Sequence, residues 1–170
     1  MADDTLTTPL SPHIVCEGAA AAIDWYVKVF GAEELVRMPR SDGRIMHAAL
    51  RLSASTLMLM DADPSCGAVS PKALGGSPVT LHLYVDDVDV VIADAVLAGA
   101  RLLMPASDMF WGDRYGVVED PFGHRWSLAT QKRDLSLAEL REAAKQAFCN
   151  ESGPQPEQKA GTEAAAPLHV

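Results

Sequence analysis

Leu83-Tyr84-Val85-Asp86 runs into an apolar-periodic stretch, Val88–Leu97, which is closed by Gly99-Ala100. The same order occurs earlier: Ile14-Val15-Cys16-Glu17, then Ala19–Phe30, then Gly31-Ala32. A glycine just past a periodic apolar run is a helix stop, because it takes the left-handed cap without steric penalty. The helices align Ile23 with Ile92, an offset of 69, and the closing pairs align at 68. Three segments of strand character follow each cap. In the first half they are Glu34–Met38, Arg44–Leu52 and Thr56–Asp61; in the second, Arg101–Met104, Arg114–Val118 and His124–Thr130. Turn residues separate them at Ser41-Asp42-Gly43, Ser53-Ala54-Ser55, Trp111-Gly112-Asp113 and Asp120-Pro121-Phe122-Gly123. Each half reads strand–helix–strand–strand–strand. A half of about 60 residues is marginal alone, so the two should share one core. The expected fold is α+β: two tandem βαβββ modules forming a curved sheet around a cleft, plus a C-terminal helix.

The boundaries follow from composition. Residues 1–10 read as a flexible arm, 11–62 as the first module, 63–78 as a crossover linker and 79–133 as the second module. A capping box, Ser136-Leu137-Ala138-Glu139, opens a C-terminal helix within 134–149, with Leu137, Leu140, Ala144 and Ala147 on one stripe. Residues 150–170 are rich in Pro, Gln, Glu and Ala and should be a disordered tail, lacking the apolar surface to offset ordering entropy.

At 48% hydrophobic and 22% charged, the 170 residues have a globular composition. A net charge of −9 gives no general reason to seek a nucleic-acid backbone or an anionic membrane. The apolar runs are too short to span a bilayer, and the first residues lack the basic start and apolar stretch of a signal peptide. Three widely spaced cysteines indicate neither a disulfide framework nor a thiolate zinc site. The expectation is a cytoplasmic protein with neither nucleic-acid nor membrane partners.

Several local runs carry a resemblance. They are Ala22-Ile23-Asp24-Trp25-Tyr26 with Phe30-Gly31-Ala32; Met46-His47-Ala48; Ser77–Asp89; and Phe110-Trp111-Gly112-Asp113-Arg114-Tyr115-Gly116 followed by Asp120-Pro121-Phe122-Gly123-His124-Arg125-Trp126. In order and spacing these resemble the vicinal oxygen chelate superfamily, which includes glyoxalase I, extradiol dioxygenases and bleomycin- and fosfomycin-resistance proteins, and within it the PhnB-like branch. The resemblance covers roughly Ser11–Phe148 and implies a small organic molecule bound in the cleft of a homodimer. Metal-using members supply a His or Glu from the first and fourth strands of each module. The matching positions here are Ser11, Leu59 (to within one residue), Thr80 and Ser127, none of them a His or carboxylate. The resemblance therefore implies neither the glyoxalase-type metal nor another cofactor.

His13 and His82 each lie two residues beyond such a position and are 69 apart, which makes them mates under the repeat. Strand alternation keeps both on the cleft side. Asp61 lies two beyond Leu59, so His13, Asp61 and His82 form an alternative set, a two-His, one-carboxylate site for a divalent-metal lyase, isomerase or dioxygenase. The main reading is a metal-free pocket whose ligand-binding residues are His13, His47, His82, Tyr84, Trp111, Arg114, Tyr115 and Arg125. Aromatic walls with a few aimed polar groups suit a small molecule. The absence of acids in this set, and the forked guanidinium donors of Arg114, point to an anionic or phenolic ligand. Trp25 and Trp126 should be core, and His124 should be at the surface or face a helix.

Overall fold

The computed structural model describes residues 10–151. The expectations for the arm at 1–10 and the tail at 150–170 lie, but for their inner ends, outside the described residues. In chain order the elements are β1 (His13–Cys16), α1 (Ala19–Phe30), β2 (Glu33–Pro39), β3 (Ile45–Leu52) and β4 (Ser55–Asp61), then a short 3-10 turn (Pro64–Cys66) and α2 (Pro71–Leu74). There follow β5 (Thr80–Tyr84), α3 (Val88–Leu97), β6 (Arg101–Asp108), β7 (Asp113–Glu119), β8 (Arg125–Gln131) and α4 (Leu137–Glu151). Two four-stranded sheets result, ordered β1-β4-β3-β2 and β5-β8-β7-β6, with the first and fourth strands of each module parallel.

The duplication is visible in the registers. His13 stands opposite Met58 and His82 opposite Ser127, both at the offset of 69 that relates the starts of α1 and α3. The helices begin differently. Asp87 caps α3 by accepting from the amides of Asp89 and Val90. Gly18, at φ 85°, has no capping side chain of its own. Asp61 Oδ1, at the end of β4, instead accepts from Gly18 N (3.0 Å) and Ala19 N (2.8 Å).

Side chains alternate across each sheet. On the first, Ile14, Cys16, Leu57, Leu59, Ala48 and Leu50 share the face that packs on α1, and all are buried. On the second, Trp126, Leu128, Gly116 and Val118 share the face toward α3; a Cβ on Gly116 would sit 2.5 Å from Ile92 Cδ1. The modules join through these helix-bearing faces. Tyr26 and Phe30 of α1 bring their rings to 5.6 and 4.8 Å from Trp126 of β8, and Trp25 Nε1 donates to Ala98 O at 2.9 Å. Trp25 and Trp126 are core residues, 8% and 2% exposed.

Asp120 lies at the centre of that junction, buried in the turn before β8. Its Oδ2 accepts from Tyr26 Oη (2.7 Å) and Trp126 Nε1 (2.9 Å); its Oδ1 accepts from the amides of Phe122 and His124, both at 2.9 Å. His124 is also buried here, which rules out the surface position that was one of its two expected places. Its Nε2 lies 3.1 Å from Val15 O and 3.7 Å from Cys16 Sγ, so it joins the second module to the edge of β1.

The last helix forms a separate unit from residue 135 onward. Its capping box is reciprocal: Glu139 Oε2 accepts from Ser136 N at 2.8 Å, and Ser136 Oγ accepts from Glu139 N at 3.3 Å.

Candidate functional site on the helix-free sheet faces

Alternation leaves each sheet one face without a helix. On the second sheet it carries Thr80, His82 and Tyr84 of β5, Arg125, Ser127 and Ala129 of β8, and Asp113, Tyr115 and Val117 of β7. The polar groups are organised. His82 Nδ1 lies 2.8 Å from Ser127 Oγ, which in turn lies 3.5 Å from Leu81 O. With the serine hydroxyl turned to that carbonyl, Ser127 accepts from Nδ1–H, and Nε2 presents a lone pair outward. Tyr84 Oη donates to Asp113 at 3.0 Å, and that bond, with some burial, raises the phenol above its ordinary value.

Rings frame these groups. His82 stands edge-on to Tyr84 at 4.8 Å and stacks near Tyr115 at 6.2 Å; Trp111 meets Tyr115 edge-on at 5.6 Å and Phe110 at 5.0 Å. Arg125 is exposed on the same face, one row from His82. Its register neighbour Glu119 already accepts from Nε and Nη2 of Arg101, and Arg125 makes no ion pair with a described residue. The face therefore combines an imidazole, a guanidinium with no ion-pair partner among the described residues and aromatic walls. It also carries two acids that the sequence reading did not expect there, Asp113 and Glu119, engaged by Tyr84 and Arg101.

Arg114 is not part of this group. It faces α3, where Nε and Nη2 grip Asp89 (2.5 and 2.7 Å) and Nη1 reaches Asp108 (3.1 Å). The two carboxylates raise its pKa further, and the fork expected to hold a ligand is spent on them.

On the first sheet the helix-free face carries His13, Val15, Met58, Met60, His47 and Ala49. His13 and His47 are edge-on with centroids 5.9 Å apart. Burial, and then the neighbouring His47, hold His13 below its ordinary value. His13 and His82 are not brought together. His13 lines a hollow of about 310 Å³ with Pro71, Leu81 and His124, whereas His82 lines one of about 320 Å³ with Leu57, Thr80 and Trp126.

The alternative metal set is corrected on the same grounds. Met58, not Leu59, shares the face of His13. Asp61 pairs with Cys16 on the helix side, and both its oxygens are engaged, Oδ1 by the start of α1 and Oδ2 by Ile45 N at 2.6 Å. Among the described residues no three His, Cys, Asp or Glu side chains come together as metal ligands. A divalent ion of the superfamily's type does not fit these residues, with Met58 and Ser127 opposite the two histidines.

Residues 9–128 match the model of the Glyoxalase/Bleomycin resistance protein/Dioxygenase superfamily. The chain belongs to that superfamily. An uncharacterized protein of Mycobacterium tuberculosis is 51% identical over 137 residues, which are 79% of this chain and 81% of that protein. Among solved structures, TioX from Micromonospora sp. is 27% identical with a TM-score of 0.59, over 74% of this chain and 99% of that one. The PhnB protein of Bacillus cereus, at 18% identity and a TM-score of 0.58 over 72% of this chain and 99% of that one, shares the fold. No helix among the described residues is long and apolar enough to cross a membrane.

The sequence carried no local sign of the Asp120 junction as a unit, although its spacing is regular. Asp120 precedes Phe122, His124 and Trp126 by two, four and six residues, and all three donate to it.

Proposed function

We propose that this superfamily member binds a small aromatic molecule carrying a phenolic or anionic group, on the helix-free face of its second sheet and without a divalent metal. One observation carries the reading: His82, Tyr84, Tyr115 and Trp111 form a connected ring cluster beside Arg125, a guanidinium with no described ion-pair partner. The outward nitrogen of His82 accepts from a ligand hydroxyl, the rings cover its flat faces, and Arg125 meets its charge. In this reading the protein works in the cytoplasm as a homodimer, and a second copy's first sheet, with its His13 and His47, closes the cleft. Supporting this, the ring and hydrogen-bond contacts that Trp25, Tyr26 and Phe30 make with the second module run through the helix-bearing faces, away from the helix-free faces.

The test is titration with para-hydroxybenzoate, read by tryptophan fluorescence in the wild type, Trp111→Phe and Arg125→Ala. A charged hydrogen bond of about 2 kcal/mol predicts affinity about 30-fold weaker in Arg125→Ala, with the signal lost in Trp111→Phe. Equal affinity in the wild type and Arg125→Ala, or preference for a cationic aromatic, overturns the reading. Light scattering that finds only monomer overturns the homodimer.

A further inference from the structure

The helix-free face of the first sheet has a different chemistry from that of the second. Its central positions alternate imidazole and thioether. His13 on β1 pairs with Met58 on β4, Met60 lies two residues further along β4, and His47 stands on β3 with Met38 as its β2 partner. All of these face away from α1. Neighbouring strands are about 4.8 Å apart and alternate residues about 7 Å apart. Two imidazoles and two flexible thioethers thus rise from neighbouring positions on three adjacent strands. The imidazole spacing is also suitable. With metal–nitrogen bonds of about 2.0 Å, two rings on one ion have centroids roughly 5 to 6 Å apart, and His13 and His47 are at 5.9 Å. No carboxylate shares these positions, and thioether sulfur discriminates against hard divalent ions in favour of Cu(I).

We propose that His13, His47, Met58 and Met60 form a binding site for a soft monovalent cation, Cu(I). The site lies on the other sheet from the aromatic cluster, faces it only across the proposed homodimer cleft, shares no residue with it, and stands whether or not that cluster binds a phenol. Met58 and Met60 are half-buried and His13 is exposed, so the ion reaches them from solvent with no rearrangement of the sheet.

The experiment is anaerobic Cu(I) titration against bicinchoninate, using full-length protein with Cys66→Ser and Cys149→Ser. This background removes the exposed thiol of Cys66 and that of Cys149; buried Cys16 is retained, its thiol pushed up to about 12 and so protonated. The expected result is one Cu(I) per chain, held at least tenfold more weakly by Met58→Leu/Met60→Leu and by His13→Asn, with unchanged circular dichroism. His82→Asn retains full affinity. No Cu(I) retained against the chelator, affinity unaltered in the methionine double variant, or Zn(II) bound as tightly as Cu(I) overturns the assignment. Loss of para-hydroxybenzoate binding in the His82 variant with Cu(I) binding intact separates this site from the other.

Discussion

Replacing Asp120 with Asn changes one atom in the middle of the junction between modules. All four partners of the carboxylate donate, two to each oxygen. In Asp120→Asn the remaining oxygen serves the amides of Phe122 and His124 as a neutral acceptor. The new amide nitrogen faces Tyr26 Oη and Trp126 Nε1. The tyrosine hydroxyl can rotate and accept, but the indole N–H cannot. A buried donor left unpaired costs about 1–3 kcal/mol, and each of the two amide bonds, made to a neutral rather than a charged acceptor, gives up roughly 1 kcal/mol. The sum is about 3–5 kcal/mol, a large share of the roughly 5–15 kcal/mol that holds a domain together. Urea unfolding followed by far-ultraviolet circular dichroism measures it, with a lower midpoint and an unchanged slope. Tyr26→Phe closes a double-mutant cycle: the two losses should fall short of additivity, because the hydroxyl's charged acceptor is already gone in Asp120→Asn. A loss under about 1 kcal/mol for Asp120→Asn would refute the claim that this carboxylate joins the modules.

Three further outcomes are expected. Gly116→Ala should destabilise by about 1–3 kcal/mol in the same assay, because its Cβ would sit 2.5 Å from Ile92 Cδ1 and 3.1 Å from the backbone of Met104 and Ala106. Burial holds His124 below its ordinary 6.5, against the opposing pull of Asp120. The unfolded chain therefore takes up more protons than the folded one, and stability present above pH 6.5 is lost as pH falls toward the folded value; His124→Gln should flatten that limb of the unfolding profile. Arg114→Ala should leave para-hydroxybenzoate affinity at the wild-type value, since its fork is closed on Asp89 and Asp108; a tenfold loss in titration would place the guanidinium in the pocket instead.

The module helices α1 and α3 span the residues their sequence patterns indicate, because glycine or aspartate at their ends and an apolar stripe between are local signals. The faces of β5 were legible for a similar reason: Thr80, His82 and Tyr84 alternate with Leu81 and Leu83. Thr56–Met60 offers no such contrast, being apolar on both faces after the threonine, so its register emerges only from pairing with β1. That single-residue difference moves Asp61 from the cleft to the start of α1. β6 runs to Asp108 rather than Met104, passing Pro105 through irregular pairing with β7. His124 and Arg114 have partners 109 and 25 residues away in the chain, and no local pattern encodes contacts of that range.

The most direct measurement for the small-molecule reading is amide chemical-shift mapping of the ¹⁵N-labelled protein during titration with para-hydroxybenzoate. Saturable shifts gathered on His82, Tyr84, Tyr115, Ser127 and Arg125 are the predicted result. Shifts confined to the hollow beside Pro71, Val79 and Leu81, or none up to millimolar ligand, would contradict it.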